Sequence, residues 1–332
     1  VPLLVGSPVP LAPAPPGAEI PGNVERQTPG TITATWIDPD GVRWPLSVID
    51  VDPGWFTMFG PAGWGNTPVE LITDPNPRGG ELVRYIRAKP RRIQWPLYVG
   101  GVDHTDFVTN YRNIMRAFTM TSYRGLPGTL EVARPDGTAR VIEAWFEQGF
   151  EGEAGENWLW AKPVITLFCP DGYWSSPDLA GLDASFDDAA GPDFLDPFIT
   201  ITSGSIVDPG GDGPTSVYNL GDVHAWPAWT INGPFDAFTA ANLTTGEQFT
   251  FEYTVAAGAR VIITTDPATV RHYATPETTV GTNVSRYIDW FDPDGTSLWP
   301  LVAGENEIDF QLTAAGTGTS LSMAWRHRWE SA

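Results

Sequence analysis

Four histidines, His104, His224, His272 and His327, are scattered along a chain of 332 residues. None stands at His-x-His or His-Glu-x-x-His spacing, so no local pair of ring nitrogens is set to share a zinc ion. The single cysteine, Cys169, lies in an apolar run and reads as a small buried hydrophobe rather than a thiolate nucleophile. One cysteine also excludes an intramolecular disulfide framework and a multi-cysteine metal cluster. There is no Gly-x-Ser-x-Gly elbow to present a serine, and no Gly-x-x-x-x-Gly-Lys-Ser/Thr loop or Gly-x-Gly-x-x-Gly turn to cradle a phosphate. The 40 aspartates and glutamates could hold two carboxylates at glycosidase separation. Most of them sit in turns, as Asp38, Asp40, Asp292 and Asp294 do, where a side-chain oxygen capping the backbone already accounts for them. The stretch Asp208 to Gly213 has the look of a calcium loop but lacks alternating ligands and a terminal glutamate, so it reads as a plain loop. His104, at the start of a helical pattern, reads as a polar residue facing solvent. The residues therefore offer no catalytic set, no cofactor site and no metal site, and the chain is not expected to be an enzyme.

The elements that would position any chemistry are short. Glycine and proline together number 35 + 32 = 67, while hydrophobic residues still make up 42% and tryptophan alone contributes 15. That composition describes brief strands joined by tight turns around aromatic cores. At ~150 residues per domain the length suggests two domains. Basic residues number 19 against 40 acidic ones, a net charge of −21. Phosphates would repel such a surface, so specific nucleic-acid binding through a basic patch is not expected. No run approaches the ~20 apolar residues that span a bilayer. The opening stretch 1–22 has no basic leader and is broken by prolines, and it reads as neither signal peptide nor anchor.

Residues 1–30 read as an extended Pro-rich arm. Period-two alternation begins at Thr31, with Ile32, Ala34 and Trp36 on one face. The tripeptide Pro-Asp-Gly recurs at 39–41, 135–137, 170–172 and 293–295, and at least three copies read as hairpin turns. Residues 50–80 read as a long loop rich in Gly and Pro. Its aromatics Trp55, Phe56, Phe59 and Trp64 are candidate partner contacts. Strands follow at 81–88 and 93–99, the second with Ile93, Trp95, Leu97 and Val99 on one side. One amphipathic helix is predicted over about 103–118, N-capped by Asp103, with Phe107, Tyr111, Ile114 and Phe118 as its core face. Further strands are expected at 129–134, 139–148 and 158–168.

Residues 175–197 carry six aspartates and no lysine or arginine, and are placed as an acidic connection. Beyond it, 198–332 reads as strand after strand, including a final one through Leu321, Met323, Trp325, His327 and Trp329. The fold class expected is mainly β: two antiparallel sandwich or barrel-like domains, 31–174 and 198–332, the first carrying the helix.

Particular stretches carry a resemblance. RYIRAKPRRIQWPLYVGG (84–101), DHTDFVTNYRNIMRAF (103–118), GTLEVARPDGTARVIEAWFEQGFEG (128–152) and WLWAKPVITLFCPDGYW (158–174) resemble the N-terminal ring-forming domain of siphophage distal tail (Dit) proteins. NLGDVHAWPAWTINGPF (219–235), NLTTGEQFTF (242–251), GARVIITTD (258–266), WPLVAGENEIDFQL (299–312) and SLSMAWRHRWESA (320–332) are similar to the galectin-like domain of the same family. The likeness spans about 81–332; the arm at 1–30 and the loop at 50–80 have no match in it.

The resemblance implies a structural virion protein at the distal end of a non-contractile tail, a homohexameric ring joining the tail tube protein to the tip or baseplate hub protein. It also implies that the second domain carries host-attachment components such as a receptor-binding protein. At −21 per chain a hexamer totals 6 × −21 = −126, and an acidic channel would let DNA pass without holding it. The alternatives are a carbohydrate-binding adhesin that takes a cell-surface glycan, a β-sandwich glycosidase, and a tail tube protein.

Overall fold

The computed structural model describes residues 32–47, 54–152, 158–186, 198–200, 206–207, 214–289 and 298–332. The first part of the chain forms β1 (Thr33–Ile37), β2 (Arg43–Pro45), β3 (Trp55–Thr57), β4 (Val69–Pro75), β5 (Glu81–Ala88), β6 (Arg91–Gly100), the helix α1 (His104–Arg124), β7 (Gly128–Ala133), β8 (Ala139–Gln148), β9 (Trp160–Ala161), β10 (Val164–Cys169) and β11 (Trp174–Ser175). The second forms β12 (Ala180–Phe186), β13 (Phe198–Thr200), β14 (Ile206–Val207), β15 (Thr215–Asn219), β16 (Ala228–Asn232), β17 (Phe235–Asn242), β18 (Glu247–Val255), β19 (Arg260–Thr265), β20 (Ala268–Tyr273), β21 (Thr282–Asn283), β22 (Gly304–Thr313), β23 (Thr319–Trp325) and β24 (Arg328–Trp329). The protein is mainly β, with antiparallel pairing throughout and one α-helix among the described residues.

The first core lies between a mixed-order sheet and α1. The sheet runs β2-β1-β7-β8-β10-β6-β3, with β9 beside β6 and β11 beside β8. Asp103 caps α1 by accepting from the Asp106 N–H at 2.8 Å, and the Asp106 carboxylate in return accepts from Val102 N–H at 2.9 Å. Phe107, Ile114 and Phe118 are buried and Tyr111 is half-buried against the core. Trp36 stacks on Phe118 at 4.8 Å and donates its indole N–H to the Ala117 carbonyl at 2.9 Å, which pins strand to helix. The helix runs six residues past the predicted end at Phe118. Thr121 continues the inward face and is fully buried, and only Gly125, at φ 62°, supplies the left-handed turn that stops it.

The second core is a sandwich. One sheet runs β13-β12-β23-β16-β19-β20-β21 and the other β14-β15-β22-β17-β18. Trp229 of the first meets Phe238 of the second at 5.4 Å and Trp299 edge-on at 5.6 Å, so interlocked rings fill the space between the sheets.

Several expectations are corrected. Residues 50–80 are not a loop throughout: Trp55–Thr57 is strand β3 on the edge of the first sheet, and Val69–Pro75 pairs with Glu81–Ala88 in a separate two-stranded ribbon. The prolines at 75 and 77 hide this hairpin, whose turn is made by Gly79 and Gly80, both at positive φ. The first strand starts at Thr33, leaving Ile32 exposed outside it. The 158–168 run is split by Lys162-Pro163 into β9 and β10. Of the Pro-Asp-Gly turns, 39–41 and 135–137 close the β1–β2 and β7–β8 hairpins; 170–172 joins β10 to β11, which both flank β8 instead of pairing with each other; and 293–295 lies outside the described residues. Within the supposed connection, Ala180–Phe186 pairs with β23 along seven residues. The final strand breaks after Trp325, and β24 leaves the sandwich to pair with β11. The arm at 1–30 and the 208–213 loop lie outside the described residues.

Candidate assembly surface

The residue types that could do chemistry are spread apart. His104 is exposed and its Nδ1 sits 3.0 Å from the Trp158 carbonyl. His272 packs edge-on to Tyr253 at 5.3 Å, and the His224 carbonyl accepts from Arg328 at 3.3 Å. His327 is buried, where its Nδ1 accepts the Leu220 N–H at 3.1 Å, and burial holds its pKa below the ordinary value. Burial pushes the Cys169 thiol up to about 12, the opposite of what a nucleophile needs. Among the described residues no three His, Cys, Asp or Glu side chains gather to hold a metal ion.

What the chain does expose is apolar. The four aromatics of the 50–80 segment divide two and two. Trp55 is buried and donates to the Pro45 carbonyl at 2.9 Å, so it is an anchor and not a contact. Trp64 is half-buried edge-on to Trp95 at 6.5 Å. Phe56 and Phe59 face outward, Phe59 fully exposed. Because β3 pairs Phe56 opposite Tyr98 of β6, the two rings stack at 4.9 Å, and Trp160 of β9 stacks on Tyr98 at 6.3 Å. The Lys162 ammonium lies 4.8 Å from the Trp160 ring. The result is a three-ring ladder on the side of β6 away from the core.

The second apolar surface is the β4–β5 ribbon. Cross-strand partners Leu71 and Ile86 share a face with Val69 and Val83, and all four side chains are more than half exposed. On the other face Arg87 pairs with Glu70 at 2.6 Å and Arg84 pairs with Asp74. The Arg87 guanidinium holds the Glu70 carboxyl below the usual carboxylate range. Among the described residues no other strand pairs with the ribbon.

Its base is fixed by a group that sequence reading missed. Arg91, 1% exposed, points inward from β6 and forms no salt bridge among the described residues. Its guanidinium donates to Gly172 O at 2.7 Å, Gly65 O at 2.8 Å, Gly63 O at 3.3 Å, Thr67 Oγ1 at 2.9 Å and Glu330 O at 2.7 Å, and it lies 5.9 Å from the Trp174 ring. Burial lowers its pKa. This one cation ties together the chain entering the ribbon, the turn before β11 and the segment after β24. Gly63 must be glycine: its φ is 85° and a Cβ there would fall 2.0 Å from the Arg92 carbonyl oxygen. The alternation Arg91, Ile93, Trp95, Leu97, Val99 was the available signal, since it puts a charge in the inward phase.

The segment after Trp325 stitches the two cores. Ser176 N–H donates to the His327 carbonyl at 2.9 Å, Arg328 pairs with Asp171 and lies 4.7 Å from the Tyr173 ring, Glu330 N–H donates to Asp222 at 2.8 Å, and Ala332 N–H reaches Trp64 O at 3.1 Å. Beside this seam is an open cleft of about 680 Å³ whose walls include Glu131, Glu143, Tyr173, Trp226, Asp266 and Arg328.

No family model matches the chain, and none of the curated proteins does. Solved structures do. The Dit protein of phage SPP1, described as a paradigm of the hub adsorption apparatus in phages infecting Gram-positive bacteria, is similar with a TM-score of 0.58 at 11% identity, over 90% of this chain and 99% of that one. The phage p2 baseplate in its activated conformation, solved with strontium and with calcium, contains a chain similar at a TM-score of 0.52 and 10% identity, over 91% of this chain and 100% of that one. These likenesses establish a shared fold across both cores.

Proposed function

We propose that this chain is a structural protein of the distal end of a phage tail, assembling as a homohexameric ring that joins the tail tube to the tip or baseplate and carries host-attachment components. The observation that carries the reading is a fold shared with a hub protein over 90% of this chain and 99% of that one. Two further features support it. The chain exposes an apolar ribbon and, in a different place, the Phe56 and Phe59 rings, as a subunit that meets its neighbours head to tail would. The surplus of 40 acidic over 19 basic residues suits a conduit that DNA crosses without adhering. In this role the second sandwich is an outward platform, and the chemistry is recognition instead of catalysis.

Gold-labelled antibody against the protein, applied to virions that contain it, is expected to mark the distal tail end. Label on the capsid, or along the whole tail as for a tube protein, would overturn the reading. The adhesin alternative calls for an open aromatic platform. In the cleft, Trp226 stands near a Tyr173 whose ring the Arg328 guanidinium already occupies at 4.7 Å, and a glycan array gives the direct comparison.

A further inference from the structure

Residues 8–16 read PVPLAPAPP, and three of the prolines, Pro10, Pro13 and Pro16, recur at a spacing of three. Polyproline II turns once every three residues, so in that conformation these rings line one face about 9 Å apart. Proline lacks the N–H that would add a strand to a sheet edge, and segments of this composition dock on aromatic surfaces instead. Residues 1–18 also carry no charged side chain, on a chain whose net charge is −21.

We propose that residues 8–16 strap across the aromatic row of their own chain, Phe56, Tyr98 and Trp160. The ring centroids stand 4.9 and 6.3 Å apart, with interplanar angles of 23° and 19°. The row is therefore about as long as one polyproline turn, ~9 Å. Beside it lies an open hollow of about 420 Å³ with Phe56, Tyr98, Gly100 and Val102 among its walls. Gly100 leaves the Tyr98 ring its place, since a Cβ there would come within 2.7 Å of it. Asp106 is the charged residue in that wall, and its carboxylate already accepts the Val102 N–H at 2.9 Å, so an uncharged occupant suits the site. Position selects residues 8–16 as that occupant. Ala34 O accepts the Leu46 N–H at 2.8 Å and Leu46 O accepts the Thr57 N–H at 2.8 Å. The start of β1 thus stands two strand spacings, ~10 Å, from the strand that carries Phe56. Residues 17–31, which link the strap to β1, can extend over ~50 Å, several times that distance. A segment tethered so closely meets the row at a local concentration on the order of millimolar, ahead of a free partner. A neighbour meeting this face would then meet the strap as well as the rings.

The contact lies within one chain, so it stands or falls apart from the ring. Its test exploits the single, buried Cys169, which leaves introduced cysteines as the accessible thiols. The full chain carrying Ala14→Cys and Val102→Cys is oxidised mildly at low concentration, and the disulfide is followed by peptide mass spectrometry. Val102 is 92% exposed at the rim of the hollow, so the variant is expected to fold. The control pairs Ala14→Cys with Val280→Cys, at an exposed position on the second core. An intrachain disulfide is expected to form about 10-fold faster in the first pair than in the control. Adding Phe56→Ser to the first pair should bring its rate down to that of the control while leaving tryptophan emission unchanged. Equal rates in the two pairs, a disulfide that joins separate chains, or a rate that Phe56→Ser leaves untouched would each overturn the strap.

Discussion

Replacing Arg91 by methionine removes the one group that holds three segments together, and its effect can be worked from the contacts. Thr67 Oγ1, Glu330 O and Gly65 O each lose their closest donor, at 2.9, 2.7 and 2.8 Å. An unsatisfied buried polar group costs about 1–3 kcal/mol. Gly172 O keeps the Thr67 hydroxyl at 2.9 Å, so its loss is small. Against this, methionine avoids burying a cation, a recovery of several kcal/mol. The balance is a net loss of about 2–4 kcal/mol, a large share of a typical ~5–15 kcal/mol. Arg91→Lys keeps the charge but reaches fewer acceptors from a single point, and should lose about half as much. Urea titration followed by tryptophan emission measures the loss. Hydrogen exchange locates it: amides in 63–67 and 328–332 should speed up while those of β16 and β19 hold. A methionine variant within ~0.5 kcal/mol of wild type, or faster exchange spread evenly over both cores, would refute the reasoning.

The buried Cys169 thiol, with a pKa of about 12, should resist alkylation at pH 8 in the native protein and react fully in denaturant. Mass spectrometry counts the adducts, and rapid native labelling would contradict the burial. His327 accepts a backbone N–H and has a lowered pKa, so below the ordinary ~6.5 the unfolded chain binds the proton first and stability falls with pH until the folded imidazole also titrates. Thermal melts from pH 7 to 5 should show that slope in the wild type and a weaker one in His327→Asn; equal slopes would remove His327 as the cause. Phe118→Ala empties the space between Trp36, Phe146 and Phe150 and should cost about 3–5 kcal/mol by urea titration. A loss under ~1 kcal/mol would mean that the helix does not seal this core.

Period-two patterning made the strands of both cores legible because each has one buried face, as in β6 and β18. The helix face Phe107, Tyr111, Ile114, Phe118 was equally plain, whereas its end was not, since Thr121 is polar yet buried and nothing before Gly125 breaks the pattern. The β4 strand escaped notice because neither of its faces packs on a core: with no burial there is no alternation to read, and Gly and Pro suggest a loop. Trp55 and Phe56 are neighbours with opposite fates, which depend on a pairing with β6 that lies forty residues away in sequence. The same holds for the segment after Trp325. Its alternation continues through His327 and Trp329, but pairing with β11 carries it out of the sandwich. Assembly surfaces are the least legible, because a residue exposed in the single chain and buried in the complex obeys neither pattern alone.

Electron microscopy of the purified protein tests the central claim most directly. At 36.1 kDa per chain a hexamer weighs 6 × 36.1 = 216.6 kDa. The account predicts class averages of closed six-fold rings of that mass, with an axial opening and six peripheral lobes. Monomers or open filaments at every concentration, or rings lacking an axial opening, would contradict it.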